Sequence, residues 1–144
     1  MKPLVNTTEL FKEAIDFRDK GQLEKAIEIF LKIIALDPNN GAAYTVLGGI
    51  YIDLDDYGQS FKNFKKATEL NPNSEFASQG LYISLVELDK SPDAINEMKR
   101  FLEKNSAKMY KVTLAELLND LEDGYMTNFK DTIVTLAKRN GVAL

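Results

Sequence analysis

An all-α fold, a stack of helical hairpins, is predicted by three features of the sequence. The same residue types return every 34 positions, apolar side chains recur at helical spacing on both sides of each turn, and no segment alternates as a strand would. At that interval Gly21, Asp55 and Asp89 form one column, Ala26, Ser60 and Ala94 a second, and Phe30, Phe64 and Met98 a third. Phe17, Tyr51 and Leu85 share a phase upstream of the turns, Ile27, Phe61 and Ile95 share one downstream, and Pro38 and Pro72 close the first two units. The columns divide one domain, residues 1–144, into units at 7–40, 41–74 and 75–108, with 109–144 left as a terminal pair of helices. About eight helices are expected in all.

Each unit reads as two helices. In the second, Tyr44, Leu47, Gly48 and Tyr51 lie at i, i+3, i+4 and i+7, one face of a 3.6-residue helix. Asp55-Asp56-Tyr57-Gly58 interrupts the pattern, and Phe61, Phe64, Ala67 and Leu70 then form a stripe that ends at Asn71-Pro72-Asn73, where proline cannot continue a helix. In the third unit Ser91-Pro92-Asp93 is expected to supply an N-cap, a proline at the first helical position and an acid in the first turn. The small residues in the columns, Gly48 above all, let crossing helices approach, and a larger side chain there would overpack the contact. Tyr82 and Phe101 are large where these columns are small, which predicts that the third pair either crosses at a different angle or uses Ala77, Gly80 and Ser84 for its close approach.

A repeat stack needs a last unit that covers its apolar end. Leu114, Leu117, Leu118 and Leu121 make one stripe suited to this, and Met126, Phe129, Ile133 and Leu136 make another after Asp123-Gly124. Lys138 and Arg139 stand in the final turn, with Gly141 beyond.

Composition narrows the chemistry. The 144 residues contain no Cys, His or Trp, which excludes thiol nucleophiles, tetrahedral zinc centres and triads built on imidazole. A formal charge of −4 gives no field that would recruit nucleic acid, so no nucleic-acid partner is expected. The N-terminus carries no apolar run of a secretory signal, and no stretch approaches the ~20 apolar residues of a membrane span, which together predict a cytoplasmic protein with no membrane partner. Asp53, Asp55, Asp56 and Gly58 imitate part of a calcium loop, but Tyr57 and Phe64 occupy its fifth and twelfth places, so a solvated turn is expected. Gly48-Gly49 lies within a helix pattern and is no phosphate cradle. No catalytic residue, cofactor or metal site is expected, and the chain is read as a protein that is not an enzyme.

The order of large apolar, Leu, small and Tyr, then small, Phe, Ala and Pro resembles the tetratricopeptide repeat. Tyr44, Leu47, Gly48, Tyr51, Ser60, Phe64, Ala67 and Pro72 match it in the second unit, and Leu10, Ala14, Phe17, Gly21, Ala26, Phe30 and Pro38 in the first. In the third unit Ser78 replaces a large residue and Ser106 stands where proline is usual. The resemblance implies a right-handed α-solenoid of about three repeats plus a capping pair, with first helices lining a concave groove that binds a peptide segment or partner protein. Its groove columns fall on Thr8, Phe11, Ile15, Arg18 and Asp19; on Ala42, Thr45, Gly49, Ile52 and Asp53; and on Phe76, Gln79, Ile83, Val86 and Glu87. They imply an apolar band of Phe11, Ile15, Ile52, Phe76, Ile83 and Val86, a recess at Ala42 and Gly49, and charges at one end, a surface that would suit an apolar peptide or an amphipathic helix with a basic end near Asp53 and Glu87. The competing reading has these side chains packing between units, or the C-terminal helix filling the groove.

The family's clamp for a C-terminal carboxylate is not expected, because its Lys, Asn and Arg columns hold Phe11, Ile15, Gln79 and Ile83 here. Lys99, Arg100, Lys104, Lys108 and Lys111 form a basic run, and Glu116, Asp120, Glu122 and Asp123 an acidic one. The reading of these as solvated helix faces stands beside that of a basic patch for an acidic partner. The stretches 76–82 and 94–102 also look like small stand-alone bacterial repeat proteins found beside polymorphic toxins. That second resemblance implies an alternative function, an immunity protein that neutralises one toxin domain.

Overall fold

The computed structural model describes residues 6–144. Residues 1–5, which belong to the segment expected to carry no secretory signal, lie outside the described residues. Eight α-helices follow one another among the described residues: α1 Thr7–Asp19, α2 Leu23–Leu36, α3 Gly41–Asp53, α4 Tyr57–Leu70, α5 Glu75–Glu87, α6 Ser91–Lys104, α7 Met109–Glu122 and α8 Lys130–Arg139. A short 3₁₀ turn, Thr127–Phe129, precedes α8. The helices pair as α1/α2, α3/α4, α5/α6 and α7/α8, and neighbouring hairpins pack through α2 on α3, α4 on α5, and α5 on α7.

The turn column explains the hairpins. Gly21, Asp55 and Asp89 all adopt left-handed φ, 76°, 56° and 58°, and Gly124 takes the same role in the fourth hairpin at 88°. Each turn closes with the same two bonds. The left-handed residue donates its N–H to the carbonyl three back, as Gly21 does to Arg18, and the next residue donates five back, as Gln22 does to Phe17. The pairs Asp55/Asp56, Asp89/Lys90 and Gly124/Tyr125 repeat the scheme, which satisfies carbonyls that the helix end would otherwise orphan. Aspartate tolerates this backbone because it is short and polar.

Three boundaries differ from expectation. Tyr57 and Gly58 belong to α4, because Asp56 caps it by accepting from Gln59 N–H, so the break spans fewer residues than the sequence pattern indicates. Ser91 is itself helical and Lys90 holds the N-cap position, which moves Pro92 one place inward; proline is compatible there because the first N–H groups of a helix have no internal partner. After Gly124, Met126 is also left-handed, at φ 58°, and two such residues within three positions interrupt the helical ladder. α8 therefore starts at Lys130, with Ile133 and Leu136 buried and Met126 and Phe129 packed beside the core from outside the helix.

The helix starts repeat as well. Asn6, Asn40 and Ser74, 34 residues apart, cap α1, α3 and α5 by accepting backbone N–H groups of the first turn. The next place in that column is Lys108, which has no acceptor to offer. The carboxylate of Glu75, from the first turn of α5, reaches across and accepts from the N–H groups of Lys108, Met109 and Tyr110 at 2.8, 2.8 and 3.2 Å. The third hairpin thus caps the fourth, with an anion placed at the positive end of α7. Glu75→Gln, which keeps one acceptor oxygen and removes the charge, is expected to lower stability by about 1–2 kcal/mol, read as a lower urea midpoint with unchanged slope.

The core has two parts. Ala14, Ala26, Phe30, Ile33, Ala43, Leu47 and Ile50 hold α1, α2 and α3 together. The larger part runs from Phe64 through α5 and α6 to α7 and α8. Between them α4 approaches α5 closely. Gly80 and Ser84 face α4, with Ser84 Oγ 2.7 Å from Ser60 Oγ, while Ala77 is buried in the same helix. Tyr82 and Phe101, the two large residues in small columns, flank the Tyr110 ring at centroid distances of 6.0 and 5.8 Å. Their size fills the space that the fourth hairpin brings, which accounts for their departure from the repeat pattern.

Candidate partner-binding face

The first helices of the hairpins carry the residues singled out as a groove, and their environments differ. Phe11 and Ile15 are half-buried against the N-terminal core, Phe11 edge-on to Phe30 at 5.3 Å. Ile52 and Val86 are half-buried against the larger core. Arg18 is paired with its neighbour Asp19 at 2.9 Å. Thr45 donates its hydroxyl to Gly41 O, and Gln79 donates its amide to Thr113 Oγ1 on α7 at 2.9 Å. The remaining positions are open. Phe76 is 55% exposed and Ile83 37%, large values for apolar side chains, and Thr8, Ala42, Asp53 and Glu87 are exposed. A Cβ built on Gly49 would meet nothing within 4 Å.

Phe76 and Ile83 stand seven residues apart on α5, two turns along one face. Next to α5, Ala42, Thr45 and Val46 of α3 open onto a hollow of about 500 Å³ that Asn39, Asn71 and Ser74 close at its polar end. Glu116 and Asp120 of α7 lie close enough to Tyr82 that, after burial, their charges help push its phenol up to about 12. At the hairpin turn of α3/α4, the Tyr57 phenol is raised by its hydrogen bond to Asp55, by partial burial, and by the charges of Asp55 and Glu87. No group of acidic side chains among the described residues is arranged to hold a metal ion.

Part of the third hairpin's polar chemistry had no sequence signal strong enough to identify it. Glu97, 9% exposed, accepts from Ser78 Oγ at 2.6 Å and from Arg100 Nη2 and Nε at 2.7 and 2.8 Å. Ser78 Oγ also lies 2.8 Å from the Tyr110 hydroxyl, and Arg100 reaches Pro72 O at 3.1 Å. Burial raises the Tyr110 phenol, so it stays protonated. The only hint in the sequence is a glutamate inside an apolar stripe, between Ala94 and Met98. Arg100 is thereby withdrawn from the basic run, whose Lys99, Lys104, Lys108 and Lys111 remain exposed.

A family model described as the tetratricopeptide repeat matches residues 17–40 and 41–74, the stretch that contains the first two left-handed turns. The crystal structure of MamA protein superposes on 93% of the chain, and on 70% of its own, with a TM-score of 0.76 at 22% identity. Residues 17–74 thus match the tetratricopeptide repeat. A second solved structure, the first TPR of Spaghetti (RPAP3) bound to the HSP90 peptide SRMEEVD, covers 67% of this chain and 77% of that one, with a TM-score of 0.63 and 22% identity. At such identities the likeness concerns the fold. Among curated relatives, superkiller protein 3 of Schizosaccharomyces pombe is 28% identical over 106 residues, 74% of this chain and 6% of that protein. The chain therefore spans a small fraction of that relative's length. No helix among its described residues is long and apolar enough to cross a membrane.

Proposed function

We propose that the chain is a non-catalytic protein–protein interaction module, a right-handed solenoid of three tetratricopeptide repeats at 7–40, 41–74 and 75–108 with a capping pair at 109–144. Its concave groove receives a peptide segment or partner protein. The observation that carries this reading is the exposure of Phe76 and Ile83 on one face of α5, beside the open ground at Ala42 and Gly49. Large apolar side chains grouped at the surface of a small domain mark interaction sites more often than chance. The repeat structure bound to SRMEEVD gives the same fold a peptide ligand in another protein.

Two positions of the expected groove make poor probes. Ile15 is packed on the N-terminal core, so a charge there would unfold the first hairpin, and Gln79 is engaged with α7. Phe76→Ser combined with Ile83→Ser is the informative variant. Quantitative capture from a lysate of the source cells, compared between this variant and the parent chain, is expected to lose at least one partner by tenfold or more. Helicity and melting temperature should stay within the range of ordinary surface substitutions, about 0.5 kcal/mol. Capture profiles that coincide would remove the groove from the account.

A further inference from the structure

Every first helix of the four hairpins ends on an acid. Asp19, Asp53, Glu87 and Glu122 are the last residues of α1, α3, α5 and α7, each two places before the left-handed turn residue, and all four are exposed. A helix C-terminus carries partial negative charge and favours cations, so an anion there works against the helix that bears it. Only Asp19 has a compensating cation, Arg18; Asp53, Glu87 and Glu122 form no ion pair among the described residues. One turn earlier, on the same face of each helix, stand Ile15, Gly49, Ile83 and Leu118. Of these, Ile83 is the exposed apolar side chain beside the acidic helix ends, while Ile15 and Leu118 are half-buried against the core. Ile83 is exposed and Gly49 leaves open space, while Leu118 borders a shallow hollow between α7 and α8.

We propose, building on the groove reading above, that the occupant is a cationic amphipathic segment of a partner protein. Its apolar side chains lie on Phe76 and Ile83, and its lysines or arginines lie along Asp53, Glu87 and Glu122. Charge complementarity selects this occupant. Asp55, Asp56 and Asp89 extend the negative field past the helix ends, and Lys90 is the only cation between residues 53 and 56 or 87 and 90. An acidic peptide such as SRMEEVD, with two glutamates and an aspartate, would meet repulsion here in place of a cradle.

The test uses the full chain and two synthetic peptides of equal length, one of leucine and lysine and one of leucine and glutamate, both amphipathic as helices. Fluorescence anisotropy is expected to give binding for the leucine–lysine peptide that weakens with added salt, and none for the leucine–glutamate peptide. Asp53→Asn with Glu87→Gln should weaken binding about tenfold, while Glu28→Gln with Glu69→Gln, an equal change of net charge on α2 and α4, leaves it nearly unchanged. Equal weakening by both pairs would mean bulk attraction only and overturns the proposal.

The parent reading is probed separately with peptides selected on the chain from a random display library. Selected peptides that lose binding with Phe76→Ser/Ile83→Ser but carry no excess of lysine or arginine would leave the groove standing and refute the cationic occupant. Selected peptides indifferent to Phe76→Ser/Ile83→Ser would refute both. Sedimentation of the unliganded chain covers the remaining occupant: a dimer dissociated by Asp53→Asn/Glu87→Gln would assign the acidic helix ends to the chain's own lysines and overturn a foreign segment.

Discussion

Gly80→Ala is expected to destabilise the protein by about 2 kcal/mol or more, although alanine is the better helix former by about 1 kcal/mol. A Cβ on Gly80 would lie 2.2, 2.3 and 2.5 Å from three carbons of the Phe64 ring, contacts that no side chain sustains. The ring is 1% exposed and has no free side to retreat to. On its other flank sits Gly48 of α3, where a Cβ would be 2.8 Å from the same ring. Phe64 is thus held between two glycines on two helices, and α5 must move away from α4 to admit the methyl group. Gly48→Ala should cost less, because the approach is less severe. Its neighbour Gly49→Ala should have the opposite sign, gaining about 0.5–1 kcal/mol, since nothing lies within 4 Å of its Cβ and only the helix propensity changes. Urea unfolding of the three variants measures the contrast.

A double-mutant cycle identifies the ring as the cause. Phe64→Ala alone should cost about 3–5 kcal/mol through the cavity it leaves. In the Gly80→Ala background that loss should shrink by 1 kcal/mol or more, about the clash relieved, because the methyl then faces empty space. Strict additivity would show that Gly80 is needed for some reason other than Phe64.

The repeat was legible because its determinants are local. A left-handed turn residue, an apolar side chain four places before it, and a capping Asn or Ser at the start of each unit act within a few residues, so they print a 34-residue period directly. Sequence reasoning went astray where the deciding contact is distant. Ser78, Tyr82 and Phe101 read as decay of the pattern, yet all three meet Tyr110, which arrives from the next hairpin. The cap on α7 was invisible for the same reason, since Glu75 acts on a backbone 33 to 35 residues away. The onset of α8 was misread because Met126 and Phe129 stand at helical spacing with Ile133 and Leu136, and nothing marks Met126 as left-handed. As for the groove, its columns follow from the period, but the split between exposed Phe76 and Ile83 and engaged Gln79 depends on how α7 seats against α5.

Glu97→Ala is the second large effect, at about 2–3 kcal/mol, and the direction of the hydrogen bonds sets its ranking against milder variants. Ser78 has one hydroxyl proton and gives it to Glu97, so the short contact with Tyr110 requires the phenol to donate to Ser78. The protons run Tyr110 to Ser78 to Glu97, and the carboxylate is the sink at the end of the chain. Without it, the Ser78–Tyr110 hydroxyl pair holds one buried proton with no acceptor, and Arg100 loses both of its bonds to Glu97. The Arg100 side chain is 40% exposed, so the freed cation hydrates and the loss stays below that of a fully buried pair. Glu97→Gln keeps the volume and one acceptor but presents an amide N–H either to Ser78 or to the guanidinium, which predicts an intermediate loss of about 1–2 kcal/mol. Tyr110→Phe removes only the first donor and leaves Ser78 bonded to Glu97, so it should cost about 1 kcal/mol. Adding both Ser78→Ala and Tyr110→Phe to Glu97→Ala should recover part of the loss, because Ser78→Ala alone would strand the buried phenol and the two changes together remove every stranded donor. Chemical denaturation of the four variants checks the order, and a Tyr110→Phe loss equal to that of Glu97→Ala would reverse the direction assigned to the chain.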